Sequence, residues 1–455
     1  MAVFKLTDIL VLGPSAFLTA WLSVHLALGT RALVGLKCYI PVPGSAGDAA
    51  QVNASQKKKK GGSDRGTQTV KEEDVLEHSQ CMVYPLSLAT HPYPILKMPE
   101  YANLESLAYS TLLMVVVSVM YGVACYTGMI PVFSTAALLL SASVFLMSLV
   151  ALFVVGLMSP TSTGEDRVYA MIYSCAGFFV AVAFFASEPK GLFTWSPGAG
   201  AGAASSLLTT IIERAFDKEL EIEIDAPMSL LGIAFAIIAA CLTSVLHASI
   251  LRFARAYHAH MSPARWMEMY MERDVLDSMR LQLQMIAPIA LVLLYVRVVV
   301  FDLLHVDETR LVVLRSVGLI CTGLLFLSNS RILIKRYLEL PLITWYTKKN
   351  ENLAGKRKAE RAAAWAVVST LANVVAATAG KVAMMAVAPG IMYLSCGILS
   401  AGAAAYSMTK GDDVGRYSAA FVENSVGFVV TYVGGMWIVV AGASLWLLRT
   451  GTVRY

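Results

Sequence analysis

The chain has 455 residues, of which 57% are hydrophobic and only 15% charged, and its net charge is +5. A soluble domain carries about 25% charged residues, so this composition excludes an ordinary soluble protein and points to one that lives in lipid. A mean hydropathy of +0.64 agrees.

Residues 1–38 read as a first span, at about 9–28, with its flank. They also read as a signal peptide with Lys5 as a thin n-region; the length of the apolar run and its interruption by Pro14 and His25 favour the span. Residues 39–98 form a polar, Lys-rich loop without apolar periodicity over most of its length, for which disorder is expected. The loop holds a glycosylation sequon at Asn53 and the run Lys57 to Lys60. That run reads as a solvated linker or as a patch for anionic headgroups. Cys38 and Cys81 share this loop and can pair if it faces an oxidising compartment. The other five cysteines fall in apolar runs, where a free thiol behaves as a small hydrophobe.

Residues 99–455 hold the main helical bundle. A bilayer crossing takes about 20 apolar residues, and further spans are read at 107–126, 132–158, 168–187, 228–253, 285–304, 311–334, 362–389 and 428–448. The run from Ile391 to Met408 is either a tenth span or the end of a bent eighth. The fold class is therefore all-α: a polytopic transmembrane bundle of about eight to ten spans. Two interfacial amphipathic helices accompany it, one over 203–220 and one from Ser262, an N-cap followed by Pro263. The glycine-rich "SPGAGAGAASS" between spans reads as a linker, since no strand precedes it and no Lys-Ser/Thr follows. With the N-terminus outside, the inner segments hold 26 Lys/Arg against about seven outside, as the positive-inside rule expects.

Chemistry-bearing motifs are few. "HAH" at His258 and His260 is a weak metal signal and fits the headgroup region better. His247 lies in the fifth span, where a hydrogen bond within the bundle is the simpler reading than a proton relay. No nucleophile, metal or paired-carboxylate arrangement sits on the spans, so no enzyme activity and no cofactor is expected. The stretch "LLYVRVVVFDLLHVDETRLVVLRS" (293–316) sets Arg297 and Arg315 among aliphatic residues. Helical rise puts Arg297 about 7–8 Å from the level of Asp302, and Arg315 about 10 Å from Glu308. Both arginines are therefore expected to snorkel towards an acidic rim of Asp302, Asp307 and Glu308. Before Arg331 the seventh span carries only Arg310 and Arg315, five apart, which excludes a voltage sensor. Lys381, eight residues before Pro389, is a further intramembrane cation that could join or oppose the cluster.

Several whole segments resemble the transmembrane protein 161 family. The similarity starts at "PEYANLESLAYSTLLMVVVSVMYGVACY" (99–126) and continues through "GEDRVYAMIYSCAGFFVAVAFFASE" (164–188), "PMSLLGIAFAIIAACLTSVLHASILRFARAYH", "LQMIAPIALVLLYVRVV" and "LRSVGLICTGLLFLSNSRILIKRYL". Arg252, Arg297 and Arg315 stand where the family pattern carries basic residues. The resemblance covers roughly residues 99–340, while "GAAAYSMTKGDDVGRYSAAFVENS" departs from it. It implies a non-enzymatic plasma-membrane protein that regulates ion currents and excitability and protects from oxidative stress. The bilayer and ion-channel subunits are its expected partners, and nucleic acid is not. The alternatives are a channel or transporter with a polar path along Arg297, Arg315, His247 and Lys381, or a lipid-binding scaffold.

Overall fold

The computed structural model describes residues 6–26, 28–42, 80–86, 95–98, 100–127, 135–158, 164–186, 191–215, 228–262, 274–350, 358–408 and 413–450. In chain order the elements are α1 (Leu6–Leu26), α2 (Leu28–Leu33), β1 (Lys37–Val42), β2 (Gln80–Pro85), α3 (Tyr101–Tyr126) and α4 (Thr135–Phe153) with a π-turn over Val154–Met158. There follow α5 (Gly164–Ala186), α6 (Pro197–Ala215), α7 (Met228–Met261), α8 (Val275–Leu293), a second π-turn (Val298–Leu303) and α9 (Glu308–Leu338). The chain closes with α10 (Leu340–Asn350), α11 (Lys358–Ala377), α12 (Ala379–Met408) and α13 (Asp413–Arg449). Among the described residues, nine helices are long and apolar enough to cross a membrane: α1 continuing into α2, then α3, α4, α5, α7, α8, α9, α12 and α13. The fold is an all-α polytopic bundle.

It carries one small addition. β1 and β2 form an antiparallel hairpin within the stretch expected to be disordered, with Cys38 opposite Tyr84 and Cys81 opposite Pro41. Positions 38 and 41 point to opposite faces and lie about 10 Å apart along the strand. A disulfide tolerates a Cα separation of only about 7 Å, so this register rules out the Cys38–Cys81 pair, and Cys38 is a buried free thiol. Asn53, Lys57 to Lys60 and the helix expected after Ser262 lie outside the described residues.

Three boundaries differ from the hydropathy reading. The sixth span runs from Val275 to Leu293 instead of 285–304. Its polar start is tolerated because Asp274 caps Leu276 N at 3.0 Å and buried Gln284 accepts from Asn329 Nδ2 of α9 at 3.0 Å. The eighth span is α12, and the break at Thr378 separates it from α11. The apolar part of α11, Ala366–Ala377, is about 18 Å long, short of the roughly 30 Å hydrocarbon core. The glycine-rich "linker" is helical: Ser196 Oγ accepts from Ala199 N at 3.1 Å and Pro197 starts α6. Small residues there allow close contact, with Gly200 against Asn424 and Leu231.

At the centre stands α12, with 94% of its apolar stretch buried in protein, against half or less for every other span. Lipid offers no hydrophobic drive between helices, so close van der Waals packing must hold them. A Cβ on Gly323 of α9 would lie 2.7 Å from Leu394 N and 2.8 Å from Gly390 O. The α9–α12 crossing is therefore backbone against backbone. Pro389 within α12 leaves the Met385 carbonyl without its helical donor, and Ser249 Oγ of α7 supplies one at 2.6 Å.

Gly323→Leu is expected to force the crossing apart and destabilise the protein by about 3 kcal/mol, while Gly435→Ala, which faces open space, leaves it unchanged. Thermal unfolding in detergent measures both. Burial pushes the Cys38 thiol up to about 11. With almost no thiolate at pH 7.5, maleimide is expected to leave Cys38 unmodified in folded protein and to label it once the chain is unfolded.

Candidate functional site

α8 ends at Leu293, and the chain turns through Leu294 and Tyr295. Residues 192–194 run beside it: Thr194 N donates to Tyr295 O and Arg297 N to Leu192 O, each at 2.9 Å, with Phe193 bridged to Val296. The last carbonyls of a helix lack intrahelical donors and carry its negative dipole end. Here the amides of 294–296 take those carbonyls, and Arg315, on the third turn of α9, serves the next carbonyl along. Its Nε donates to Leu294 O at 3.0 Å, an Nη donates to Thr194 Oγ1, and the guanidinium lies 4.4 Å from the centre of the Tyr295 ring. Nη1 pairs with Glu423 Oε1 of α13 at 3.6 Å. Burial holds the Tyr295 phenol well above its ordinary value, so it stays neutral and presents a π-face to the cation. Arg315 is 4% exposed and joins four segments: the end of α8, residues 192–195, α9 and α13.

The acidic rim expected around both arginines does not form. Arg297 lies past the end of the sixth span and is exposed, as are Asp302, Asp307 and Glu308. Asp307 pairs with Arg310 at 3.7 Å on the surface; among the described residues Arg297, Asp302 and Glu308 join no ion pair. Shortening of the sixth span is the reason, because it moves residues 297–303 out of the membrane-spanning helix. Arg315 points inward to the helix end and to Glu423. His247 is buried at mid-height, stacked on Tyr173 with 4.3 Å between rings, and its Nδ1 contacts Thr243 O at 3.2 Å. Lys381 is buried at the start of α12, beside Gly380, where a Cβ would come 3.3 Å from Glu100 Oε2. Ser400 of α12 bonds Ser316, next to Arg315, at 3.0 Å, and nineteen helical residues put Lys381 about 28 Å from that level. The four proposed path residues are thus spread over the height of the bundle. They are not gathered in one cluster.

A second buried polar network lies at the opposite end. Arg336 Nη1 donates to Glu339 Oε2 at 2.7 Å, and Nη2 donates to His260 Nδ1 at 2.9 Å. His260 Nε2 then faces Ser278 Oγ at 2.9 Å. An accepting Nδ1 makes His260 the neutral Nε2–H tautomer, donating to Ser278. The network joins α7, α8 and α9 through His260 at the end of α7.

Sequence reasoning missed Glu423, Thr194, Tyr295, Arg336 and Glu339. A carboxylate inside the apolar run of α13 is a signal for the first, and a basic–acidic pair three residues apart for the last two. Between the start of α9, the end of α12 and the start of α13 lies a cavity of about 190 Å³ lined by Glu423, Arg416, Ser400, Val312 and alanines. A second cavity of about 20 Å³, beside Pro389 at mid-height, is apolar.

No family model, no curated protein and no solved structure matches this chain.

Breaking the Arg315 junction leaves a helix end and Glu423 without their cation. Arg315→Leu is expected to cost about 3–5 kcal/mol, and Arg297→Leu less than about 0.5 kcal/mol. Denaturant unfolding in micelles compares them; equal losses would contradict the assignment.

Proposed function

We propose that this chain is a non-enzymatic, multi-pass protein of the plasma membrane that modulates ion currents by contacting partner channels. One observation carries the reading: Arg315, an intramembrane charge and by default a functional candidate, is spent on a helix end, a neighbouring segment and Glu423. Arg336 is spent in the same way at the other end. Charges that hold helices together favour a rigid regulator over a conduction path. The ion-current side of the proposal rests on reading residues 99–340 as similar to the transmembrane protein 161 family, which is itself part of the proposal. A channel or transporter is the second reading, favoured by the cavity beside Glu423 and by Pro389 within the central helix.

Purified protein in liposomes is expected to leave Na⁺, K⁺ and Cl⁻ flux at the level of empty vesicles. The same protein expressed in an excitable cell is expected to change whole-cell current, and Arg297→Leu to act as wild type. Flux through protein-only liposomes would overturn the regulator in favour of the pore.

A further inference from the structure

We infer that the cavity at the junction of α9, α12 and α13 is a binding site for a small zwitterion carrying one ammonium and one anionic group. Three independent features converge on this. The first is size: about 190 Å³ is the liquid volume of about six waters, enough for a ligand of about seven heavy atoms. The second is charge placement. Arg416 and Glu423 line the same cavity and lie seven residues apart on α13, two helical turns on nearly one face and about 10 Å apart in rise. Arg416 sits in the first turn of α13, where the helix dipole adds positive potential. An anionic group is favoured there, and an ammonium is favoured seven residues deeper at Glu423. The third is the floor and wall. Ser400 Oγ, already bonded to Ser316, offers a polar base, while Ala403, Ala419 and Ala420 leave a smooth apolar wall for the carbons between the two charges.

The site is built into the Arg315 junction. Glu423 is 46% exposed and its oxygen stands 3.6 Å from Arg315 Nη1, beyond hydrogen-bond range. A ligand ammonium can therefore take a strong bond to that carboxylate while Arg315 keeps Leu294 O, Thr194 and the Tyr295 ring. Occupancy would draw α13 and α12 together at this end without dismantling the turn at 294–295. The inference stands whether the protein conducts ions or regulates them.

The chemistry comes from two sources, a free ω-amino acid or the ethanolamine-phosphate headgroup of a lipid. The experiment uses the full chain in phosphatidylcholine nanodiscs, titrated calorimetrically with glycine, β-alanine, 4-aminobutyrate and 6-aminohexanoate, and with butylamine and butyrate as single-charge controls. At least one of the longer zwitterions is expected to bind 10-fold or more tightly than either control. Glu423→Gln and Arg416→Gln should each weaken it at least 10-fold. Ala420→Leu, which fills the cavity and leaves both charges in place, should do the same at unchanged melting temperature. Replacing the lipid by phosphatidylethanolamine then separates the sources: unchanged affinity assigns a soluble ligand, and loss of the titration assigns the headgroup. Absence of binding in phosphatidylcholine, equal binding of butylamine, or full binding by Ala420→Leu would overturn the site.

Discussion

Hydrocarbon offers no water to a helix end, so every backbone group that a turn exposes within the membrane must find its partner in the protein. The turn after α8 is where this constraint bears hardest on the chain. Helix α8 stops at Leu293, the amides of 294–296 take its last carbonyls, and Leu294 O, just beyond them, is left for a side-chain donor. Arg315 answers with a guanidinium that serves Leu294 O, Thr194 and Glu423 together. The planar fork of arginine, with five donors, suits this task in a way that a lysine ammonium does not. That one side chain ties residues 192–195 and α13 to the turn, beside the backbone bonds and helix packing that also hold them.

The same rule explains the middle of the bundle. Pro389 would leave an unpaired carbonyl in the least accessible helix of the protein, yet Ser249 reaches Met385 O from α7. The glycines of α9 and α12 bring the two backbones into contact. A hydroxyl and a set of missing side chains thus achieve in lipid what apolar burial achieves in water.

Much of this was legible from residues alone: nine spans, the all-α class and the inwardly drawn His247. The limits were physical too. Hydropathy favours the most apolar window, so it slid the sixth span towards "LVLLYVRVVVFDLL" and missed that Gln284 is sheltered by Asn329. It joined α11 to α12 because a break at Thr378 changes no composition. Helical spacing placed Arg315 and Glu308 on one face correctly, but rotamer direction chose Glu423, 108 residues away in the chain, and no local pattern encodes that choice. Ser196, Pro197 and the glycines of α6 carried a legible helix start, which the abundance of glycine concealed.

The two polar junctions also differ in what they allow. In the Arg336–Glu339–His260–Ser278 network the first three side chains are buried and Ser278 is half-buried, and its members bond to one another at 2.7–2.9 Å. Although Arg336 Nε itself finds no partner, the two Nη bonds resist separation, because any opening strands a charge in a low dielectric. At the other end the Arg315–Glu423 contact is longer and half open to a cavity, so rearrangement there costs less. Since α9 runs through both junctions, one end of the bundle is clamped while the other retains an adjustable contact. Of the two junctions, the one at Glu423 is therefore the more yielding.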